Sequence, residues 1–356
     1  GWGRFLAHRP FYPGGFVNAA HARGAVTTRD RARHMIAAQL EADFCLPHGS
    51  VAKAHGQGAE LLAQLQLPAD KMGSSRRRND DIWELRVANY AGVGLLCAKH
   101  PRVLEKAREY MAGDNPNWLG DYAQLRQLNE LLTPYSQQVS GTSIYYTPTR
   151  ALLESVVPEN LPAQEVKCAV PGIGMMRRVD SVSLRHALYD QVAGEHTIVT
   201  APNASAAAIE TSPEDTAGTK LPVRFEFLTP QQCERFRGDT RYANALGFSC
   251  RRPDVTVLAA YGVETEATDP IALVGASDDS PLMRQIGVDV LPEFRHYGLA
   301  SRMIREVARI VLAEGYLPFY GTSPSHILSQ RTSAAAGLTP TWWEFVSTSL
   351  HDMQVD

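Results

Sequence analysis

Apolar and polar residues alternate most regularly over residues 283–290. Ile286, Val288 and Val290 share one side and Gln285, Gly287 and Asp289 the other, the period-two mark of a strand. Pro292 cannot donate to a ladder and ends it. The period then changes: Leu299, Met303, Val307, Ile310 and Val311 recur at helical spacing before Gly315, which predicts an amphipathic helix closed by a glycine. Upstream, residues 270–277 read as a strand and Asp278, Asp279 and Ser280 as turn residues, so the two strands form a hairpin. Downstream, 317–322 read as a short strand and 325–336 as a helix closed by Gly337.

The rest of the chain divides by pattern. Residues 1–25 are rich in turn formers. Thr27 and Thr28 can cap a helix running through Ala42, and a second helix is expected over 58–65. The charged run at 74–81, with Arg76, Arg77 and Arg78 beside Asp80 and Asp81, reads as a solvated loop in preference to a phosphate contact. Strands are expected at 82–87, 92–97 and 142–146, with helices at 101–111 and 122–132, a covered sheet in its own right. A helix over 182–192 and a strand at 197–200 precede 201–220, a stretch with few large apolar residues that reads as a linker. The C-terminal part opens with a strand at 223–228, a helix from Thr229-Pro230 to Phe236, a short helix at 242–246 and a strand at 255–261. The resulting division is an N-terminal extension (1–80), an α/β N-terminal domain (81–200), a linker (201–220) and a C-terminal domain (221–356).

A strand, a glycine turn and a helix start together make an anion site. The first N–H groups of a helix lack internal acceptors and lie at the positive end of its dipole, while Gly298 lets a ligand approach the backbone. The spacing Arg295-x-x-Gly298-x-Ala300, set in that order of elements, resembles the pyrophosphate-binding motif of the GNAT superfamily of N-acetyltransferases. The resemblance covers the C-terminal domain. It implies an α/β (α+β) fold with a mixed, mostly antiparallel sheet flanked by helices, and leaves the N-terminal α/β domain open as a degenerate copy of the same unit or a packing domain. It also implies acetyl-CoA, or another acyl-CoA, as co-substrate. Arg295, His296, Tyr297, Gly298, Leu299, Ala300 and Ser301 are then expected to hold its diphosphate, and Val288, Val290 and Ser329 its pantetheine arm.

For proton transfer the chain departs from the commonest pattern of that family. Arg284 and Gln285 stand where relatives often carry a glutamate base, and Ser333 stands where many have a tyrosine acid. Ser325 and Ser329 remain as candidates, with Ser333 retained by position, and ahead of them stand His326, Tyr320 and Asp289. Each has a bland alternative: a helix-start histidine contacting cofactor, a half-buried strand tyrosine, a surface carboxylate. His326-Ile327 occupies a place where relatives often have Asn and an apolar residue. Trp342, Trp343 and Phe345 read as aromatic core or as the lining of an acceptor pocket.

Composition narrows the function. The 356 residues carry a formal charge of −3, with 44% hydrophobic and 21% charged residues, so nothing recommends nucleic acid or an anionic membrane as partner, and no apolar run approaches the ~20 residues of a membrane span. Five cysteines, Cys45, Cys97, Cys168, Cys233 and Cys250, are scattered and odd in number, which suits buried free thiols in a reducing cytoplasm. No histidine pair has metal-ligand spacing, and no metal is expected. The expected activity is transfer of an acetyl group from acetyl-CoA to a small-molecule amine. Acyl-CoA decarboxylation, transfer involving a carrier protein, and a noncatalytic CoA-binding scaffold are the alternatives, and the packed N-terminal half leaves room for a homodimer.

Overall fold

The computed structural model describes residues 28–57, 61–68, 71–77, 83–112, 115–156, 165–170, 174–179, 189–190, 192–193, 196–200, 218–263 and 268–350. The chain begins with helices α1 (Arg29–Asp43) and α2 (Ser50–Gln57), then strands β1 (Leu61–Leu65), β2 (Leu85–Tyr90) and β3 (Val93–Ala98). Helices α3 (Pro101–Met111) and α4 (Tyr122–Leu132) lead to β4 (Gln137–Pro148) and α5 (Arg150–Glu154). A separate ribbon of β5 (Glu165–Val170) and β6 (Gly174–Val179) follows, then β7 (His196–Thr200), β8 (Lys220–Phe227) and α6 (Pro230–Cys233). The C-terminal elements are β9 (Asp254–Gly262), β10 (Ala272–Asp278), β11 (Met283–Val290), α7 (Leu299–Ala313), β12 (Leu317–Thr322), α8 (Ile327–Ala335) and β13 (Leu338–Ser349).

One sheet of 11 strands runs through both halves in the order β1-β3-β2-β13-β4-β12-β11-β10-β9-β8-β7. Its C-terminal part is mixed and mostly antiparallel, as the resemblance implied, with β11 and β12 the parallel pair. The halves are not side by side. Strand β4, from the N-terminal half, lies between β12 and β13 and pairs with both, while β13 also pairs with β2. Such a pairing joins segments far apart in number, Tyr145 with Gly321 for example, and no local pattern announces it.

Helices cover both faces. Val87, Leu96 and Phe345 pack against Val103, Ala107 and Leu128 of α3 and α4. Ile286 packs in the core with Leu299, Met303 and Val307 of α7. Arg86 and Glu344 neighbour Val87 and Phe345 in sequence and, by the alternation of a strand, point to the opposite face, where α1 and residues 71–77 lie. There four charged side chains meet. Arg76 donates through Nε to Asp43 at 2.6 Å and through Nη2 to Glu344, and Arg86 donates through Nε to Glu344 at 3.0 Å. All four are at least 93% buried, Arg76 being the most exposed at 7%. Burial works against the Arg76 charge, but Asp43 and Glu344 more than offset it and hold its pKa well above the usual guanidinium value. The Arg76 guanidinium also sits 5.1, 5.5 and 5.1 Å from the ring centroids of Tyr145, Phe319 and Trp342, close enough for cation–π attraction.

Several expectations need correction. The run at 74–81 is not a solvated loop where it is described: Ser75 and Arg76 are buried, because Arg76 finds carboxylates from α1 and β13. The second helix is Ser50–Gln57, and Leu61–Leu65 is a strand; its leucines fit helical spacing, but the open edge of β3 takes them in parallel register. Cys250 is exposed, whereas Cys45, Cys97 and Cys233 are buried and free. In place of a helix over 242–246 there is a single 3-10 turn at Thr240–Tyr242 followed by a turn at 243–245. The expected helix over 182–192, the linker at 201–220 and residues 1–25 lie largely or wholly outside the described residues, with Lys220 already part of β8. Among the described residues no helix is long and apolar enough to cross a membrane.

The 244–245 turn is flattened onto the sheet. Asp289 accepts from Asn244 N, Asn244 Nδ2 and Ala245 N, each at 2.8 Å, and a Cβ on Gly287 or Gly275 would stand 1.9 Å from Asn244 O or 2.1 Å from Ala245 O. Gly287→Ala is therefore expected to lower stability by about 3 kcal/mol in urea unfolding, whereas Gly141→Ala on β4, which meets nothing within 4 Å, should lack that clash penalty. Equal midpoints for the two variants would contradict the close approach. Glu344→Gln leaves two buried guanidinium groups sharing Asp43 and should cost about 3–5 kcal/mol; a loss under ~1 kcal/mol would mean that the cluster is not a structural tie.

Candidate active site at the fork of two strands

β11 and β12 begin as neighbours and then part. They pair only at Met283↔Leu317, Arg284↔Pro318 and Gln285↔Phe319. Beyond that point β12 pairs with β4 through Tyr320, Gly321 and Thr322, while β11 keeps β10 as a partner as far as Val290. The direction of the freed peptide groups follows from alternation. Leu291 N donates to Ile271 O on the β10 side, and Leu282 O accepts from Leu317 N on the β12 side. Even-numbered residues of β11 thus aim their peptide groups toward β12, and those of Val288 and Val290 lie past the last pair, along an open edge.

The turn after β11 leads to the same fork. Gly298 is the N-cap of α7 at φ 72° and ψ 16°, with no side chain capping the helix start. Arg302 N reaches back to Gly298 O at 3.2 Å. The N–H groups of Leu299, Ala300 and Ser301 precede the first helical bond and are the donors that a helix start leaves over. His296 also has a positive φ, 76°, so two left-handed residues curl the turn. A Cβ at Gly298 meets nothing within 4 Å, which leaves the approach to those amides open, and a diphosphate fits such a place by charge and by hydrogen bonding. Arg295 is exposed beside it, Tyr297 packs against the core, and Ser301 Oγ donates to Gly298 O at 3.2 Å.

The proton-transfer candidates separate once their partners are known. Tyr320 is the first residue of β12 past the fork; its hydroxyl lies 2.9 Å from Ser329 Oγ on α8, and burial raises its pKa. It is a protonated phenol at neutral pH. His326 caps α8, its Nδ1 accepting from Ser329 N at 3.0 Å. The neutral ring then carries its proton on Nε2 and has no lone pair left to act as a base. Ser333 is fully buried and donates to Ser329 O at 2.9 Å within its own helix. Asp289, whose pKa burial raises against the pull of its hydrogen bonds, is occupied by the 244–245 turn. Arg284 pairs with Glu314 at the end of α7 and lies 3.7 Å over the Tyr316 ring.

On the face opposite α7 a cavity of about 340 Å³ opens at the fork, since Gln285 and Phe319, the last residues to pair, both line it. Arg76, Arg77, Arg252 and Asp279 are among its other walls. Asp279 is 2% exposed, and its pKa is raised by burial, against opposing contributions from Ser277, Arg252 and Gln285 N. Tyr145 leans over Gly321, where a Cβ would stand 2.7 Å from Cε1. Sequence reasoning took Asp279 for a turn residue and Arg76 and Arg77 for surface. The available signal was only that two aspartates and three arginines lie in short runs far apart in the chain. Trp342 lies in the core on the cavity face, against Tyr145 at 4.8 Å, while Trp343 and Phe345 pack on the α3–α4 side. Among the described residues no group of three or more His, Cys, Asp or Glu could hold a metal ion.

No protein-family model and no curated protein matches the chain. Solved structures do. A GNAT-family acetyltransferase from Colwellia psychrerythraea is 12% identical, with 91% of this chain and 98% of that one covered at a TM-score of 0.30. An aminoglycoside N-acetyltransferase solved with CoA is 21% identical over 33% of this chain and 89% of that one, at 0.27. A protein assigned to the GNAT acetyltransferases from Novosphingobium aromaticivorans is 17% identical over 35% of this chain, which spans only 56% of its length, at 0.29. At TM-scores of 0.30 or below the superpositions carry no argument about this chain; two of these three solved structures are named as GNAT-family acetyltransferases, and the chain itself has the mixed, mostly antiparallel C-terminal sheet flanked by helices that the motif around Gly298 implied.

Proposed function

We propose that the protein is a coenzyme A dependent N-acyltransferase that moves an acyl group, most simply acetyl, from the thioester to an amine of a small molecule. The observation that carries this reading is the parting of β11 from β12 beside a helix start with free amides. A nucleotide thioester needs both features. Its diphosphate wants donors and positive potential, which the turn at 295–301 supplies, and its pantetheine arm carries amides of its own that can pair with the open edge at Val288 and Val290. An N–H on that edge also polarises the thioester carbonyl, a contribution of about 3 kcal/mol when the donor is well placed.

The reaction forms a bond from nitrogen to the acyl carbon and breaks the bond to sulfur. The thiolate that leaves takes up a proton, and Tyr320, neutral and hydrogen-bonded to Ser329, is the donor best suited by its environment. His326 and Asp289 serve as a helix cap and a clamp on the 244–245 turn. Ser333 serves packing.

The test is acetyl-CoA binding by calorimetry with thiol release over an amine panel. Gly298→Glu should weaken binding at least tenfold, through charge as well as a strained φ, while Gly298→Asn, which tolerates that φ, should retain more of it. Tyr320→Phe should lower kcat on the order of 10²-fold with acetyl-CoA affinity kept. Undetectable acetyl-CoA binding, or indifference to Gly298→Glu, would overturn the reading. Release of CO2 from malonyl-CoA without consumption of amine would replace transfer by decarboxylation, and saturable binding without turnover would leave a CoA-binding scaffold.

A further inference from the structure

The cavity on the far face of the fork bears on what the acceptor is, and the inference drawn from it rests on the acyltransferase reading. Its volume of about 340 Å³ lies near the lower end of small-molecule sites, roughly 300–1,000 Å³, so the occupant is small. Among the described residues its lining holds four arginines, Arg76, Arg77, Arg86 and Arg252, and one carboxylate, Asp279.

The arginines are not equivalent. Arg76 and Arg86, with side chains 6% and 2% exposed, are committed to Asp43 and Glu344 below the floor. Arg77 and Arg252 are 37% and 26% exposed and reach the opening. Arg77 is braced by donating from Nη1 to Asp278 O at 3.1 Å, with Asp278 Oδ2 3.7 Å away. Arg252 is braced by donating from Nη1 to Gln285 Oε1 at 3.1 Å, with Asp279 Oδ2 at 3.5 Å. Planar guanidinium groups already held in place match a carboxylate better than any other common small-molecule group except phosphate.

The charge balance chooses between those two. Among the described residues Asp43, Glu344, Asp278 and Asp279 between them match the four guanidinium groups, and on that balance a doubly charged phosphate would leave excess negative charge in a partly buried site. A zwitterion adds none. Asp279 gives its cationic end a partner: Oδ1 accepts from Ser277 Oγ at 2.5 Å and Gln285 N at 3.3 Å, which fixes the carboxylate beside the last paired residue of the fork.

We propose that this cavity is the acceptor site and that it selects small α-amino acids, the carboxylate held by Arg77 and Arg252 and the ammonium directed to Asp279. In the reaction the ammonium gives one proton through Asp279 to solvent. The amine nitrogen then bonds to the acyl carbon, the electron pair of the broken C–S bond stays on sulfur, and a proton equivalent to the one nitrogen loses completes the free thiol.

The experiment measures thiol release from acetyl-CoA with matched pairs: glycine and methylamine, leucine and 3-methylbutylamine, phenylalanine and phenethylamine. At least one amino acid should exceed its decarboxylated partner by 100-fold or more in kcat/KM, and Arg77→Gln and Arg252→Gln should each cut that ratio tenfold or more, mainly through KM. Both side chains are partly exposed, and thermal unfolding of each variant checks its fold. Should either misfold, Arg77→Lys or Arg252→Lys at the same position replaces it, with the ratio again expected to fall. Amines used as well as amino acids, or a preference untouched by these substitutions, would overturn the proposal while acetyl-CoA binding and turnover left the acyltransferase reading in place. If acetyl-CoA does not bind at all, that reading fails by itself, and calorimetric titration with the same three amino acids decides this one. Binding that weakens tenfold in Arg77→Gln supports it; no binding of any of the three overturns it.

Discussion

The site depends on two strands being held apart. β12 spends its first three residues beside β11 and its last three beside β4, so each prong of the fork is secured by something other than its former neighbour. β11 is paired with β10 along its length and clamped through Asp289 to the turn at 244–245. β12 is backed by β4, with Gly321 making room for Tyr145. An open strand edge inside a sheet is ordinarily costly, because unpaired peptide groups are driven to find partners. Here the partners of each strand are already engaged elsewhere, and the edge at Val288 and Val290 stays available to a ligand.

That arrangement makes the N-terminal half part of the site. β4 fills the place between β12 and β13, and the Arg76, Arg86, Asp43 and Glu344 cluster ties α1, the 71–77 segment, β2 and β13 together beneath the cavity. A buried ion cluster of this kind contributes less to net stability than well-packed apolar side chains of equal volume. Its effect is geometric: each guanidinium has a direction in which its carboxylates must lie, and the aromatic rings of Tyr145, Phe319 and Trp342 around Arg76 limit the alternatives. The polar floor of the cavity and the joint between the halves are the same set of residues.

What the sequence disclosed and what it withheld follow from range. The alternation in 283–290, the helical period from Leu299 and the glycine at 298 are local properties, and the structure has β11, α7 and a left-handed N-cap at those places. The swap of β4 into the C-terminal sheet rests on pairings between distant segments and had no local trace. The proton-transfer candidates fared by their neighbours. His326 and Asp289 have the right chemistry in isolation, but one gives its lone pair to Ser329 N and the other its oxygens to Asn244 and Ala245. Arg76 looked like surface because three arginines and two aspartates in a row usually are; two carboxylates from elsewhere in the chain made it core.

On the proposed reading, coenzyme A lies along the opened edge of β11 with its diphosphate on the start of α7. Amide hydrogen exchange resolved by residue, with and without coenzyme A, tests it most directly. Slowed exchange at Val288, Val290, Leu299, Ala300 and Ser301 on binding is the predicted result. Coenzyme A that binds and protects other amides while leaving those five unchanged would contradict the account.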